Sequence, residues 1–128
     1  MEKSLELINT ATNRFGLALT QTQMLALNER RVKALANTGR IEFGEGILQQ
    51  LVIKFCASPY LDSHNYESTL AELQDIFYHF KSECHDSITD DGLLCAMAAP
   101  FDGKAGGSTR YIADIDPREM KKLVREYE

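Results

Sequence analysis

Four side chains in the middle of the chain have the types and spacing for chemistry. Glu72, Asp75, His79 and Glu83 follow one another at intervals of three, four and four residues. On a helix that spacing puts them along one side. Carboxylates and an imidazole in a row are ligands for Zn²⁺, Mn²⁺ or Fe²⁺. The helical di-iron signature, however, is Glu-x-x-His repeated on a second helix. Here the order is Glu-x-x-Asp-x-x-x-His, and no other helical segment offers a matching inward Glu and His. A polar strip facing water accounts for the same residues, and the sequence favours that reading over a metal site.

A second candidate is the run GKAGGST at 103–109. Backbone amides of Gly106 and Gly107 ahead of Ser108, with Lys104 and Arg110 beside them, could form a nest for an anion or a nucleotide phosphate. The phosphate-loop order G-x-x-x-x-G-K-[ST] is not met, because Lys104 precedes the glycine pair, and no buried strand leads in. Loop flexibility is the plainer reading. Gly44-Glu45-Gly46 is a poorer anion site, since Glu42 and Glu45 repel one. Asp86, Asp90 and Asp91 fail the calcium-loop pattern, with Ile88 at its third position and Met97 at its twelfth. Cys84 beside His85 is no thiolate–base pair, because sequence neighbours on a helix point about 100° apart. His64 with Glu67, and His85, fit helix-terminus chemistry. Tyr60 and Tyr78 fall off the apolar stripes and are candidate anchors for a partner.

The element that must carry the first set is Ser63 to Cys84. Tyr66, Leu70, Leu73, Phe77, Phe80 and Cys84 step by four and three residues, drawing one apolar stripe down a helix of about six turns. Ordering such a segment costs more entropy than the stripe alone can offset, so the rest of the chain must pack against it. Other helices follow from their own signals. Thr20 and Gln23 have the form of a capping box, and Gly39 suits a left-handed stop. Between them, Met24, Leu25, Val32 and Leu35 are expected inside, with Arg30, Arg31 and Lys33 late in the helix, where cations meet the negative dipole end. Ile47, Leu48, Leu51, Val52, Phe55 and Cys56 form a broad stripe that ends at Ser58-Pro59. Asp62 or Ser63 is the expected cap of the central helix. Thr89 caps a helix carrying Leu93, Leu94, Met97 and Ala98, with Pro100 as its expected end. Asp116-Pro117 opens a last helix with Met120, Leu123, Val124 and Tyr127 on one face. Met1 to Asn9 is weakly helical. Arg110 to Ile115 reads as short helix or extended chain, and strand signals are confined to short runs near Leu17, Ile41 and Tyr111.

The totals bound the class. A chain of 128 residues, 44% hydrophobic and 26% charged, is long enough for one domain with a real core and is neither disordered nor membranous in composition. Its net charge of −5 is uneven: +1 up to Asp62 and −6 beyond it. An acidic balance disfavours nucleic acid, which needs clustered cations. No run of 18 apolar residues predicts a membrane span, and the N-terminus lacks the pattern of a signal peptide. Cys56, Cys84 and Cys95 form no C-x-x-C pair and are expected as buried free thiols in a reducing cytosol.

GRIEFGEGIL, FCASPYLD and LAELQDIFYHFK together resemble a small uncharacterised family of Gram-positive bacteria, over Leu17 to Asp102. Gly39 to Gly46 and Phe55 to Asp62 are the most specific pieces. The resemblance implies an intracellular bacterial protein and supplies no functional residues.

The sequence therefore predicts an all-α, single-domain bundle of about five helices over residues 1–128, packed around the helix at 63–84. It calls for no cofactor. The expected role is a non-catalytic cytoplasmic interaction or regulatory module, working through a protein partner or self-association. A metal binder and an anion binder are the alternatives.

Overall fold

The computed structural model describes residues 2–42 and 46–128. Its elements are α1 (Glu2–Thr12), a single 3₁₀ turn (Asn13–Phe15), α2 (Gln21–Thr38), α3 (Leu48–Phe55), α4 (Tyr66–Glu83), α5 (Asp90–Asp102), α6 (Thr109–Ala113) and α7 (Pro117–Arg125). No strand occurs among the described residues. The described residues are all-helical as expected, with seven α-helices among them instead of about five. The additions are α1, which outruns its weak local signal, and α6, a short helix capped by Ser108.

α4 sits in the middle and packs against α2, α3, α6 and α7. Tyr66, Leu70, Leu73, Phe77, Phe80 and Cys84 are all buried, as the stripe requires. Ala71, Gln74, Ile76, Tyr78 and Lys81 are buried too, so the helix is covered on most of its circumference. α2 runs parallel to α4: Leu27 meets Gln74, Arg30 meets Asp75 and Arg40 meets Asp86 in ascending order. Parallel neighbours cannot be joined by a tight turn, and α3 crosses between them, packing on α4, α1 and α5. The expected stripe of α3 is buried along its full length, and Phe55 stacks edge-on to Phe101 of α5 at 5.3 Å.

Several boundaries follow the sequence. Thr20 and Gln23 exchange both capping-box hydrogen bonds, and Gly39 stops α2 at φ +66°. Thr89 and Asp116 cap α5 and α7. Others do not. The cap position of α4 is Asn65, with no side-chain capping bond there. Asp62 instead accepts from the amides of His64 and Asn65, while Asn65 accepts from Asp62 and donates to the Tyr60 carbonyl. That closed turn uses Asp62 one step too early to cap the helix. Pro100 lies inside α5, which continues to Asp102. A proline this close to the C-terminal end removes a single intrahelical bond, and Phe101, fully buried, holds the last turn down.

The buried side of α2 is Met24, Leu27, Arg31 and Leu35, a correction of the expected set. Leu25 and Val32 are 46% and 55% exposed. An arginine takes the inward position because its guanidinium finds partners there, as described below. Two of the three free cysteines, Cys56 and Cys84, are buried, and Cys95 is half-buried.

The packing yields a graded test by urea denaturation. Phe77→Ala is expected to cost about 3–5 kcal/mol of stability, because it empties a fully buried ring site. Leu25→Ala, on the solvent side of α2, is expected to stay within about 0.5 kcal/mol.

Candidate functional site

The seam between α2 and α4 opens into a cleft of about 810 Å³ lined by Arg30, Lys33, Asn37, Asp75, His79 and Glu83 among others. Three of the four predicted residues therefore share one groove. Glu72 points to the neighbouring hollow and accepts a hydrogen bond from the Thr109 hydroxyl of α6. Asp75 accepts from Arg30 Nε at 2.9 Å and Nη2 at 2.8 Å. The Arg30 and Asp75 side chains are close to half exposed, so this pair, made through the single oxygen Oδ2, orders the seam and contributes modestly to stability. His79 and Glu83 are exposed, and the His79 ring meets Phe80 edge-on at 5.1 Å. Among the described residues, no three His, Cys, Asp or Glu side chains are grouped to hold a metal ion. The row predicted from spacing is present on the helix face. Two of its members, Glu72 and Asp75, turn to different partners.

The glycine loop is arranged against anion binding. The amide of Gly106 donates to the Gly103 carbonyl, that of Gly107 to Phe101 and that of Ser108 to Ala105, all at 2.9–3.0 Å. The N–H groups that a nest would aim at a phosphate are thus committed inside the loop. Ser108 Oγ caps α6 through the Tyr111 amide. Lys104 is exposed, and Arg110, 87% exposed, pairs with Asp114 on its own helix. Gly107, at φ +83°, has a structural reason: a Cβ there would come within 2.5 Å of the Tyr60 side chain. Tyr60 is 41% exposed and edge-on to Phe101 at 6.3 Å, so its ring braces this loop and leaves part of itself to solvent. Gly44 and Glu45 lie outside the described residues.

Tyr78 is placed otherwise than expected. It is fully buried, and its hydroxyl donates to Glu42 Oε1 at 2.6 Å. It therefore presents no surface to a partner. The same Glu42 oxygen accepts from Arg31 Nε at 3.3 Å, and Arg31 Nη1 donates to Asn28 Oδ1 at 3.2 Å. Burial drives the Tyr78 phenol far above its ordinary range, and the hydrogen bond to the Glu42 carboxylate adds to the effect. Gly46, at φ +58°, closes over the network: a Cβ there would lie 1.9 Å from the Glu42 carboxylate.

Two further buried polar groups tie the elements together. Gln74 Nε2 donates to the Leu27 carbonyl of α2 at 3.0 Å. Lys81 Nζ donates to the Ile88 carbonyl at 2.8 Å and pairs with Asp90 at 2.8 Å, fixing the α4–α5 turn. In that turn His85 and Asp86 hold φ +52° and +59°, a strained region for residues with a Cβ. The Arg40 guanidinium bonded to Asp86 lowers its carboxyl below the usual range. Cys84 points to the Pro117 carbonyl, and burial raises its thiol, as it raises that of Cys56. A raised thiol is the opposite of an activated nucleophile.

The buried network was legible only in part. Arg31 stands on the Met24–Leu27–Leu35 register of α2, a detectable signal. Glu42 has no local pattern, because its partners lie 11 and 36 positions away.

Two measurements check these environments. Burial pushes the Tyr66 phenol up to about 12, and that of Tyr78 higher. A phenol whose folded pKa is raised stabilises the fold fully below its ordinary value near 10, and that stability is lost as pH climbs through the folded value. The melting temperature is expected to fall above about pH 10, and Tyr66→Phe to flatten the fall. With an aromatic disulfide reagent, Cys95 is expected to react promptly, with Cys56 and Cys84 silent until denaturant is added.

The chain belongs to a family of unknown function, DUF6323, whose model matches residues 4–128. Comparison with curated proteins and with solved structures gives no match.

Proposed function

We propose that the chain is a non-catalytic interaction or regulatory module. In this reading it is a single-domain protein of the bacterial cytoplasm, in Gram-positive species, that acts by holding a protein partner or a second copy of itself.

The observation that carries the reading is the outer flank of α2. Leu25 and Val32, seven residues apart, send their side chains to water at 46% and 55% exposure, with exposed Ala36 one turn further on. The fold does not use this flank, although the same helix buries four side chains on its other side. Two apolar side chains a heptad apart are anchor positions of the kind a partner helix reads. The polar side chains support the same conclusion. Glu72, Asp75 and Arg110 are engaged by Thr109, Arg30 and Asp114, so among the described residues these candidate groups are held by neighbours instead of being turned together toward a ligand. Among the described residues no helix is long and apolar enough to cross a membrane.

Light scattering across a concentration range tests the reading. The wild-type chain is expected to gain mass with concentration or to carry a co-purifying protein. Leu25→Glu with Val32→Glu is expected to abolish that association, with the melting temperature within a few degrees of wild type. A strict monomer at every concentration that retains no protein would overturn the proposal.

A further inference from the structure

α7 carries a second surface that the fold leaves unaccounted for. Its inner side is Met120 and Val124, both fully buried. Arg118, Lys122 and Arg125 are exposed and stand at i, i+4 and i+7, with half-buried Lys121 at the edge of the same side. Over about 10.5 Å of helix the outer face is cationic, on a chain whose net charge is −5. Helix electrostatics explains only part of it. Lys122 and Arg125 lie in the last turn, where cations favour the dipole. Arg118 lies in the first turn, where a cation opposes it. Lys122 pairs with Glu119 at 3.6 Å, both side chains being more than 60% exposed. Among the described residues Arg118 and Arg125 have no ion pair within the chain.

We infer that this face of α7 docks an acidic helical segment of a protein partner, with carboxylates spaced to meet Arg118, Lys122 and Arg125. Charge complementarity carries the inference. The row of Arg118, Lys122 and Arg125 is bordered by Lys121 on one side and by Glu119 and Glu126 on the other. A single acidic ridge meets the cations without crossing the Glu119–Glu126 border. A broad polyanion, whether nucleic acid or lipid headgroups, would press against those carboxylates, on a chain whose net charge is −5. Repulsion at that border favours the narrow partner. The inference rests on the reading of the chain as an interaction module and adds the chemistry of the partner.

The probe is a synthetic helical peptide with glutamates at i, i+4 and i+7, beside an isomer with the same composition and the glutamates dispersed around the helix. By fluorescence anisotropy at low salt, the wild-type chain is expected to bind the matched peptide at least about fivefold more tightly. Arg118→Glu, Lys122→Glu and Arg125→Glu together are expected to erase that preference. Arg118→Gln with Arg125→Gln, which keeps good helix formers, is expected to erase it without loss of folding. Equal binding of the two peptides would overturn the inference. So would a preference that survives either variant, or tighter capture of single-stranded RNA or phosphatidylserine vesicles than of the matched peptide. Light scattering on the Leu25 and Val32 variant is read separately. Failure of the peptide preference with that association intact removes the α7 docking face alone, and failure of both removes the module reading with it.

Discussion

A helix covered on most of its circumference leaves little room for water, and this constraint on α4 shapes the rest of the chain. Its apolar stripe would have been satisfied by one packed face. Instead Gln74, Tyr78 and Lys81 are drawn inside as well. A buried polar group without a partner costs on the order of 1–3 kcal/mol, and each of the three side chains finds a partner elsewhere in the chain, although the Gln74 Oε1 stays unpaired. Gln74 takes a carbonyl from α2, Tyr78 takes Glu42, and Lys81 takes Ile88 and Asp90. These bonds fix where α2, the segment around Glu42 and the start of α5 lie relative to α4. Parallel packing of α2 and α4 is part of the same solution, because the Leu27–Gln74 and Arg30–Asp75 contacts fix their register.

That demand also commits several of the charged residues to partners within the fold. A reactive site needs groups held together with their strongest valences directed at a ligand. Here the hydrogen-bonding capacity turns inward or to a neighbour. Glu42 is occupied by Tyr78 and Arg31, Asp75 by Arg30, and the Gly106 to Ser108 amides by their own loop. The proposed role rests instead on surface: the apolar flank of α2 and the cationic face of α7.

Most of the helices, and the caps at Thr20, Thr89 and Asp116, were readable because their signals are local. A stripe at intervals of three and four, a Thr-x-x-Gln box or an Asp-Pro start is complete within a few residues. The placement of Leu25 and Val32 was not readable in that way. Both are as apolar as Leu27, and only tertiary packing decides which side of α2 turns inward. Tyr78 has the same history: its distance from the Phe77 stripe implied exposure, and a helix packed on several sides removed that implication. The site residues fared similarly. Spacing put Asp75, His79 and Glu83 on one face of α4, which holds. It gave no warning that Arg30, 45 positions away, would take the Asp75 carboxylate, or that Tyr60 would explain Gly107.

The central claim is that α4 is the last element to lose its structure. Native-state hydrogen exchange across a denaturant series addresses it directly. The amides of Leu70 to Lys81 are predicted to exchange only through global unfolding, with the largest opening free energies in the chain. If those amides opened at lower free energy than the amides of α3 or α5, the helix would be peripheral to stability and the account would be wrong.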